Sequence, residues 1–272
     1  MPAAPLDWPA LAAAGFPCPE AVPPPRLVAE LSGMLASPDP VVRDDHAYTA
    51  LARWTREGRF DTVLVEWGDL GAERLGHAEP QARSFAPLVL RCVLERAVAV
   101  PGAVPADRLG SWYERFGAWY PDERDTRGWD DRLGWLHAVA HGADAAAAFG
   151  AALPGRRVEL LRLCARRVTA AHADHRYTQT EDARVARAVC RLLAAPGLDA
   201  AEAAGWLDVV AGALEGGGPG PLPVWAFNTF ATLQSLHVHL TRGLAREGVP
   251  PHAAAVADRV AALLRLPCWW LA

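Results

Sequence analysis

The sequence predicts an all-α protein with about ten to twelve helices stacked as antiparallel helical hairpins. Three observations predict this class. Apolar residues recur at helical spacing in one segment after another, and prolines or glycines separate these segments at short intervals. No segment sustains the alternation of apolar and polar residues that is typical of a half-buried strand. Helix pairs joined by short loops account for all three observations.

The predicted helices follow one another with the same apolar spacing. Each segment places its apolar residues three or four positions apart, so that they fall on one helical face. The small residues of the fifth face would permit close helix approach. The faces, in chain order, are Leu27, Val28, Leu31, Met34 and Leu35; Ala47, Tyr48, Leu51 and Trp54; Phe85, Leu88, Val89, Cys92 and Val93; Leu109, Trp112, Tyr113 and Phe116; Leu136, Ala140, Ala143 and Ala147; Leu161, Cys164 and Val168; Val185, Val189 and Leu192; Trp206, Val209 and Val210; Leu233, Leu236 and Leu240; and Val256, Val260, Leu263 and Leu264.

Residues 35–51 have the organisation of a HEAT unit. A helix ends, and a turn follows in which Asp39 suits an N-cap and Pro40 suits the first helical turn. Arg43 then opens a second helix whose core stripe ends at Leu51. Since only this copy is clear, the other repeats must be degenerate. The predicted architecture is an α–α superhelix of the HEAT or armadillo type.

The chain is predicted to contain a lead-in and one helical domain. Residues 1–25 are rich in proline, so we expect an irregular segment. Residues 26–272 are assigned to a single helical-repeat domain. A repeat array can exceed the usual domain length because each unit contacts mainly its neighbours.

Three segments resemble the bacterial family catalogued as domain of unknown function 2785. They are residues 43–51 (RDDHAYTAL), residues 83–88 (RSFAPL) and residues 123–144, which contain ERDTRGW and GWLHAVAHGAD. The resemblance spans roughly residues 27–193. It implies a helical-repeat fold, and it implies no activity, cofactor or catalytic residue. Because the chain from about residue 197 departs from the family pattern, we expect this C-terminal part to be specialised.

Composition disfavours two classes of partner. The chain has 27 basic and 31 acidic residues, a formal net charge of -4, and every basic residue is an arginine, as is typical of GC-rich genomes. Nucleic-acid binding is disfavoured because recognition of phosphates relies on a basic surplus. A membrane span is disfavoured because no stretch approaches about 18 apolar residues.

Cysteine usage and the N-terminus indicate a cytoplasmic protein. The number of cysteines is odd and their spacing is scattered, which is typical of reduced thiols. The N-terminal segment lacks the basic and apolar regions of a signal peptide. The cysteines are Cys18, Cys92, Cys164, Cys190 and Cys268.

The main candidates for catalysis are His137, His141 and Asp144. Offsets of four and three place them on one stripe of a predicted helix. Three interpretations are open: histidines bonded between helices, a polar catalytic or binding pocket without a metal, and a divalent metal site. Ala138 stands where the zinc-protease motif H-E-x-x-H has glutamate. We therefore assign no metal and no other cofactor.

Charged residues before that stripe are candidate ligand-binding groups. Arg127 can pair with Asp125 or Asp130, or it can clamp an anionic ligand. Arg83 begins a predicted helix, where its charge opposes the helix dipole, so it requires an acidic partner. Asp125 and Asp144 are the expected partners of Arg83.

Trp129 and Trp135 are further candidates for ligand binding. Most tryptophans are core residues, but indoles beside a charged break can wall a pocket for a flat or cationic ligand. We expect Arg83 and residues 125–144 to meet around one functional cavity.

Three functions remain open. The first is a binding or scaffold protein that holds a protein partner or a small ligand on its concave face. The second is a tailoring enzyme of specialised metabolism that uses the histidine, aspartate and arginine pocket for acid–base catalysis. The third is a HEAT-like DNA-base glycosylase, which the negative net charge disfavours.

Overall fold

A computed structural model describes residues 6–216, 221–243 and 248–266. Within these ranges the secondary structure is helical apart from one short hairpin, so the predicted all-α class is confirmed. Thirteen α-helical segments are described, of which α10 and α11 are separated by Trp206 alone, in agreement with about twelve helices. The segments are α1 (Trp8–Ala13), α2 (Pro24–Met34), α3 (Thr49–Arg56), α4 (Leu64–Arg74), α5 (Pro80–Ala99), α6 (Ala106–Asp122), α7 (Ala138–Ala152), α8 (Arg157–Val168), α9 (Glu181–Ala194), α10 (Ala200–Gly205), α11 (Leu207–Glu215), α12 (Val224–Arg242) and α13 (Ala253–Arg265).

Two irregular elements border the candidate site. A π-helix, Val41–Tyr48, runs directly into α3, and such helices are frequent at functional sites. A hairpin pairs β1 (Trp129–Asp130) with β2 (Gly134–Trp135), and Trp129 lies opposite Trp135. The sequence predicted essentially no strand, and this hairpin is the one exception in the described residues, because two-residue strands are too short to display an alternating pattern.

The helices pack in two rows. In one row α3, α5, α7, α9 and α12 each pack against the next, and we call this the inner row. In the second row α4, α6, α8 and α11 do the same. Contacts of α4 with α5, of α6 with α7 and of α8 with α9 join the rows. The superhelical curvature of this arrangement stays a prediction.

Helix α7 lies at the centre of the core. It is composed largely of alanine, and nearly all of its residues are buried. At Gly142 an added Cβ would lie 2.2 Å from Cε2 of Tyr120. The Tyr120 hydroxyl donates a hydrogen bond of 2.9 Å to the carbonyl oxygen of Val139. The close approach expected from small residues in this helix is therefore present.

The second predicted hairpin helix also has the expected core. Leu51 and Trp54 are fully buried, and the Trp54 indole N–H donates to the carbonyl oxygen of Phe16. The Trp8 ring packs 5.9 Å from the Trp54 ring, centroid to centroid. Within residues 1–25, Trp8–Ala13 form α1 and Pro24 and Pro25 begin α2, whereas an irregular segment was expected. The domain boundary at residue 25 stays a prediction.

No disulfide joins the four cysteines that the structure describes, and Cys268 lies outside the described residues. None of the described helices combines the length and apolar character needed to cross a bilayer.

Candidate functional site

The candidate residues gather where the hairpin meets the N-terminal ends of inner-row helices. These ends lie together because neighbouring helices of the row run in the same direction. Ser84 of α5 meets His141 of α7, and further along both helices Arg91 meets Asp144. Helix α9 has the same relation to α7, since its first residue, Glu181, meets the residue that precedes α7.

His137 precedes α7 and does not lie within it. Its backbone has φ 53° and ψ 30°, a left-handed conformation that is uncommon for a residue with a side chain. The predicted helical stripe is therefore wrong for His137, because the helix begins at Ala138. The His137 ring still lies 5.8 Å from the ring of His141, centroid to centroid. Strained backbone of this kind occurs often at functional sites.

His137 contacts a fully buried carboxylate. Its Nε2 atom lies 3.3 Å from Oε1 of Glu181, whose side chain has no exposed area. The other carboxylate oxygen accepts a hydrogen bond of 2.8 Å from the backbone N–H of Gln179. Burial raises the pKa of Glu181, but the His137 imidazole and the Gln179 amide oppose this effect and outweigh it. The net pKa of Glu181 is therefore lowered. Glu181 is therefore an anion near neutral pH, and it could not be predicted as a site residue because its partner is distant along the chain.

His141 is bonded to the backbone between two helices. Its Nδ1 lies 2.9 Å from the carbonyl oxygen of Ser84, and its ring packs edge-on against Phe85 at 5.0 Å. Burial lowers the pKa of His141 to about 3. The side chain is consequently neutral near pH 7 and a weak base. The geometry favours the first interpretation of this histidine, a structural bond between helices.

Asp144 links three inner-row helices. Its Oδ2 atom accepts from Nη1 of Arg91 at 3.0 Å and also from Arg184 of α9. The Asp144 side chain is almost completely buried between these two guanidinium groups. Because both arginines bind the carboxylate, it does not orient either histidine. Arg91 and Arg184 were missed because they lie 53 and 40 positions from their common partner.

Arg83 has an acidic partner, but it is neither of the two expected. Its Nε and Nη2 atoms donate to Glu123 at 2.6 and 3.1 Å, so the assignment to Asp125 or Asp144 is wrong. Glu123 follows the last turn of α6 and also accepts from the Trp119 indole N–H and from the backbone N–H of Asp125, both at 2.8 Å. These four hydrogen bonds engage the buried Glu123 carboxylate within the protein. The pair of Arg83 and Glu123 is therefore a structural contact.

Arg127 holds both of its predicted partners. Nε and Nη2 donate to the two oxygens of Asp125 at 2.9 and 2.7 Å, and Nη1 donates to Asp130. Burial raises the pKa of Asp125, but the Arg127 guanidinium opposes this effect and outweighs it. The net pKa of Asp125 is therefore lowered. Asp130 also accepts from the backbone N–H groups of Arg132 and Leu133, which closes the hairpin turn. The guanidinium is thus occupied within the protein.

The two hairpin tryptophans face solvent. Trp129 is 43% exposed and Trp135 is 40% exposed, whereas the other tryptophans that the structure describes are buried or half-buried. Their ring centroids are 4.9 Å apart and their planes meet at 79°. The Trp135 ring also lies 4.6 Å from the His137 ring. The hairpin therefore presents two indoles in a fixed mutual orientation.

Arg43 of the π-helix anchors the hairpin. It is fully buried, and its Nη2 donates to the carbonyl oxygens of Leu133 and Trp135 at 2.7 and 3.1 Å. Its guanidinium lies 4.8 Å from the centroid of the Phe85 ring and contacts the carboxylate of Asp44. Burial raises the pKa of Asp44 to about 6 in spite of this arginine. The sequence predicted that Arg43 opens a helix and contained no sign of the hairpin contact.

The candidate residues thus separate into two groups. Ring contacts connect Trp129, Trp135, His137 and His141, whereas the other candidates bind charged partners inside the protein. These others are Arg83, Asp125, Arg127 and Asp144. In the described part of the chain, no group of three or more His, Cys, Asp or Glu residues is arranged to hold a metal ion. A single cavity shared by all eight residues stays a prediction.

Comparison with known proteins places the chain in a family. A family model described as "Protein of unknown function (DUF2785)" matches residues 76–238, more than half of the chain. Searches of curated proteins and of solved structures found no match. The matched region contains the hairpin, α7 and the start of α9, which carry the candidate site. The chain therefore belongs to the DUF2785 family.

Proposed function

We propose that this protein is a binding protein that holds a cationic ligand against the indoles of Trp129 and Trp135. The observation that carries the proposal is the exposure of both rings, 43% and 40%, on one two-stranded hairpin. Aromatic rings held in solvent by a rigid scaffold are typical of recognition surfaces, since aromatic side chains dominate binding energy.

Preorganisation supports the same proposal. Arg43 binds two carbonyl oxygens of the hairpin, and Arg127 binds Asp130 within it. The hairpin is thereby fixed on two sides before any ligand arrives. A fixed surface loses little conformational entropy on binding, so more of the contact energy contributes to affinity.

The charge around the hairpin favours a cation. Two indole planes that meet at 79° offer π-faces, which attract an ammonium or guanidinium group. The indole N–H of Trp129 donates to Asp131 at 3.2 Å, which places a carboxylate at the edge of the ring. Residues 37–46 and 122–137 together carry eight carboxylates and four arginines: Asp39, Asp44, Asp45, Asp122, Glu123, Asp125, Asp130 and Asp131, against Arg43, Arg124, Arg127 and Arg132. This acidic excess also disfavours the DNA-glycosylase hypothesis, because DNA binding requires positive charge.

A titration followed by nuclear magnetic resonance tests the proposal. The indole N–H signals of the labelled protein are recorded with choline, with an arginine-containing tripeptide, and with a neutral choline isostere that carries a tert-butyl group. We expect saturable shifts at Trp129 and Trp135 with a cation and none with the neutral compound. Whether choline or the peptide binds distinguishes a small ligand from a protein partner.

Variants complete the test. Trp129→Ala or Trp135→Ala should weaken cation binding by about tenfold or more. Phe227→Ala is the matched control, because Phe227 is a similarly exposed aromatic residue on α12. Absence of saturable shifts with both cations, or equal binding of the neutral isostere, would contradict the proposal.

One observation favours an acid–base enzyme as a second candidate function. The buried carboxylate of Glu181 lies 3.3 Å from Nε2 of His137, and a carboxylate that orients a partly exposed imidazole is typical of a general base. Diethyl pyrocarbonate, which acylates neutral imidazole, measures this reactivity. We expect rapid modification of His137, slowed severalfold by Glu181→Gln and unaffected by His237→Asn. Modification of His137 no faster than that of His237 would exclude this function.

A further inference from the structure

A separate cavity lies between the π-helix, α3 and α5, beyond the hairpin. It has a volume of about 250 Å³. Its polar lining comes from Tyr48, Arg56, Arg91, Cys92, Glu95 and Arg96. Three arginines and one glutamate therefore line a space of about the volume that eight water molecules occupy in the liquid.

Among the described residues, one of the three arginines that line this cavity has no carboxylate partner. Nε of Arg91 donates to Glu95 at 2.9 Å, and Arg96 binds Asp61 through two nitrogens. Within the described residues no carboxylate lies at ion-pair distance from the guanidinium of Arg56. Arg56 is therefore the cation whose charge remains available at the cavity.

The surrounding ion pairs do not compensate this charge. Arg91 also donates to Asp144 at 3.0 Å, but Asp144 is shared with Arg184 of α9. The cavity and its ion-pair partners thus contain four arginines, Arg56, Arg91, Arg96 and Arg184, and three acidic residues, Asp61, Glu95 and Asp144. The local sign is positive, opposite to that of the hairpin surface.

We propose that this cavity binds the oxyanion of a small carboxylate or phosphate compound between Arg56 and Arg91. Planar guanidinium groups match the geometry of carboxylate and phosphate oxygens. The Tyr48 side chain lines the same cavity, and burial raises its pKa, so the hydroxyl stays a donor for an anion. Ala52 and Ala99 provide apolar walls for the rest of a small molecule.

This anion site does not depend on the cation site proposed at the hairpin. Different side chains form the two sites, and their local charges are opposite. A series of ring contacts connects them, in which Tyr48 packs against Phe85 at 6.1 Å and Phe85 against His141 at 5.0 Å. Trp135→Ala should accordingly leave anion binding unchanged.

Calorimetric titration of the full chain with inorganic phosphate and with benzoate tests the inference. We expect saturable binding of one equivalent of at least one anion, and the anion that binds identifies the chemical source. Arg56→Gln should weaken binding by about tenfold or more. Tyr48→Phe should weaken it by a smaller factor, since one hydrogen bond is lost.

Arg53→Gln provides the matched control. Arg53 lies on the same helix and pairs with Glu57, and it is absent from the cavity lining, so the substitution removes the same charge elsewhere. We expect the affinity of this variant to stay within about twofold of the wild-type value. Circular dichroism verifies that both variants fold. Failure of the folded wild-type protein to bind either anion at about 10 mM, or equal weakening by Arg53→Gln and Arg56→Gln, overturns the inference.

Discussion

The Nδ1 atom of His141 lies 2.9 Å from the carbonyl oxygen of Ser84 and joins α7 to the backbone of α5. Because a carbonyl oxygen only accepts hydrogen bonds, Nδ1 carries a proton, and the imidazole is neutral as long as Nε2 carries none. Burial maintains this state by lowering the pKa of His141 to about 3. A predicted catalytic residue is therefore part of the helix packing.

This histidine should make stability depend on pH. The pKa of an ordinary histidine is 6.5, against about 3 for folded His141. Between these values the unfolded chain binds more protons, so stability conferred by His141 is complete above pH 6.5 and is lost as the pH falls. The slope is about 1.4 kcal/mol per pH unit. The difference in the free energy of unfolding between wild type and His141→Asn should therefore decrease by about 2 kcal/mol from pH 7.5 to pH 5.

Urea melts at these two pH values measure the narrowing. Asp44, whose pKa is raised to about 6, has the opposite pH dependence, but it is present in both proteins and cancels. His237→Asn is the control, because His237 is half-exposed on α12. A difference between wild type and His141→Asn that stays constant over this range would contradict the assignment of a buried neutral imidazole.

Arg43→Met should destabilise the fold and release the hairpin. The substitution leaves the Asp44 carboxylate and the hairpin carbonyl oxygens without their guanidinium partner. Removal of one partner from a buried ion pair costs about 3–5 kcal/mol. Arg53→Met, which breaks an exposed ion pair, should cost about 1 kcal/mol or less. Denaturant melts compare the two variants, and similar losses would show that Arg43 is not an anchor.

Gly142→Ala should destabilise the contact between α6 and α7. The added methyl group would lie 2.2 Å from Cε2 of Tyr120, a distance that forces side chains or backbone to move. Such overpacking typically costs about 1–3 kcal/mol. Gly212→Ala in α11 should instead stabilise by up to about 1 kcal/mol, because glycine is unfavourable inside a helix and, outside the local backbone, no atom lies within 4 Å of the added Cβ. Thermal melts that show equal effects would exclude the close approach.

Leu51→Ala should cost about 2–5 kcal/mol in urea melts, since Leu51 is fully buried in the core. Val98→Ala on α5 is the control, because Val98 is 47% exposed and should change stability by less than about 0.5 kcal/mol. If Leu51→Ala lowered the free energy of unfolding by less than Val98→Ala does, the core face of this helix would be assigned incorrectly.

The helical class was predictable because its signal is local. The face of Leu51 and Trp54 is readable from spacing within one turn of chain, and both residues are fully buried. The left-handed backbone of His137 was not predictable, because the helical pattern continued smoothly through it. The hairpin was missed for a related reason, since its two-residue strands are stabilised by Arg43, which lies 90 positions before Leu133.

Contacts of the candidate site were likewise predictable only where the partners lie close together in the sequence. Arg127 met its predicted partners Asp125 and Asp130 because they lie within three positions, where chain geometry limits the choice. Arg83 met Glu123, 40 positions away, where many carboxylates were equally available from sequence alone.

The sequence by itself determined the all-α class, the family, the core face of the second hairpin helix and the ion pairs of Arg127, because local spacing and composition limit each of them. Only the tertiary structure decided that Asp144 joins Arg91 and Arg184, that His137 meets Glu181, and that the hairpin indoles face solvent. The physical reason is that partner choice over long sequence distances depends on how parallel inner-row helices bring their ends together. Spacing along one helix carries no information about that arrangement.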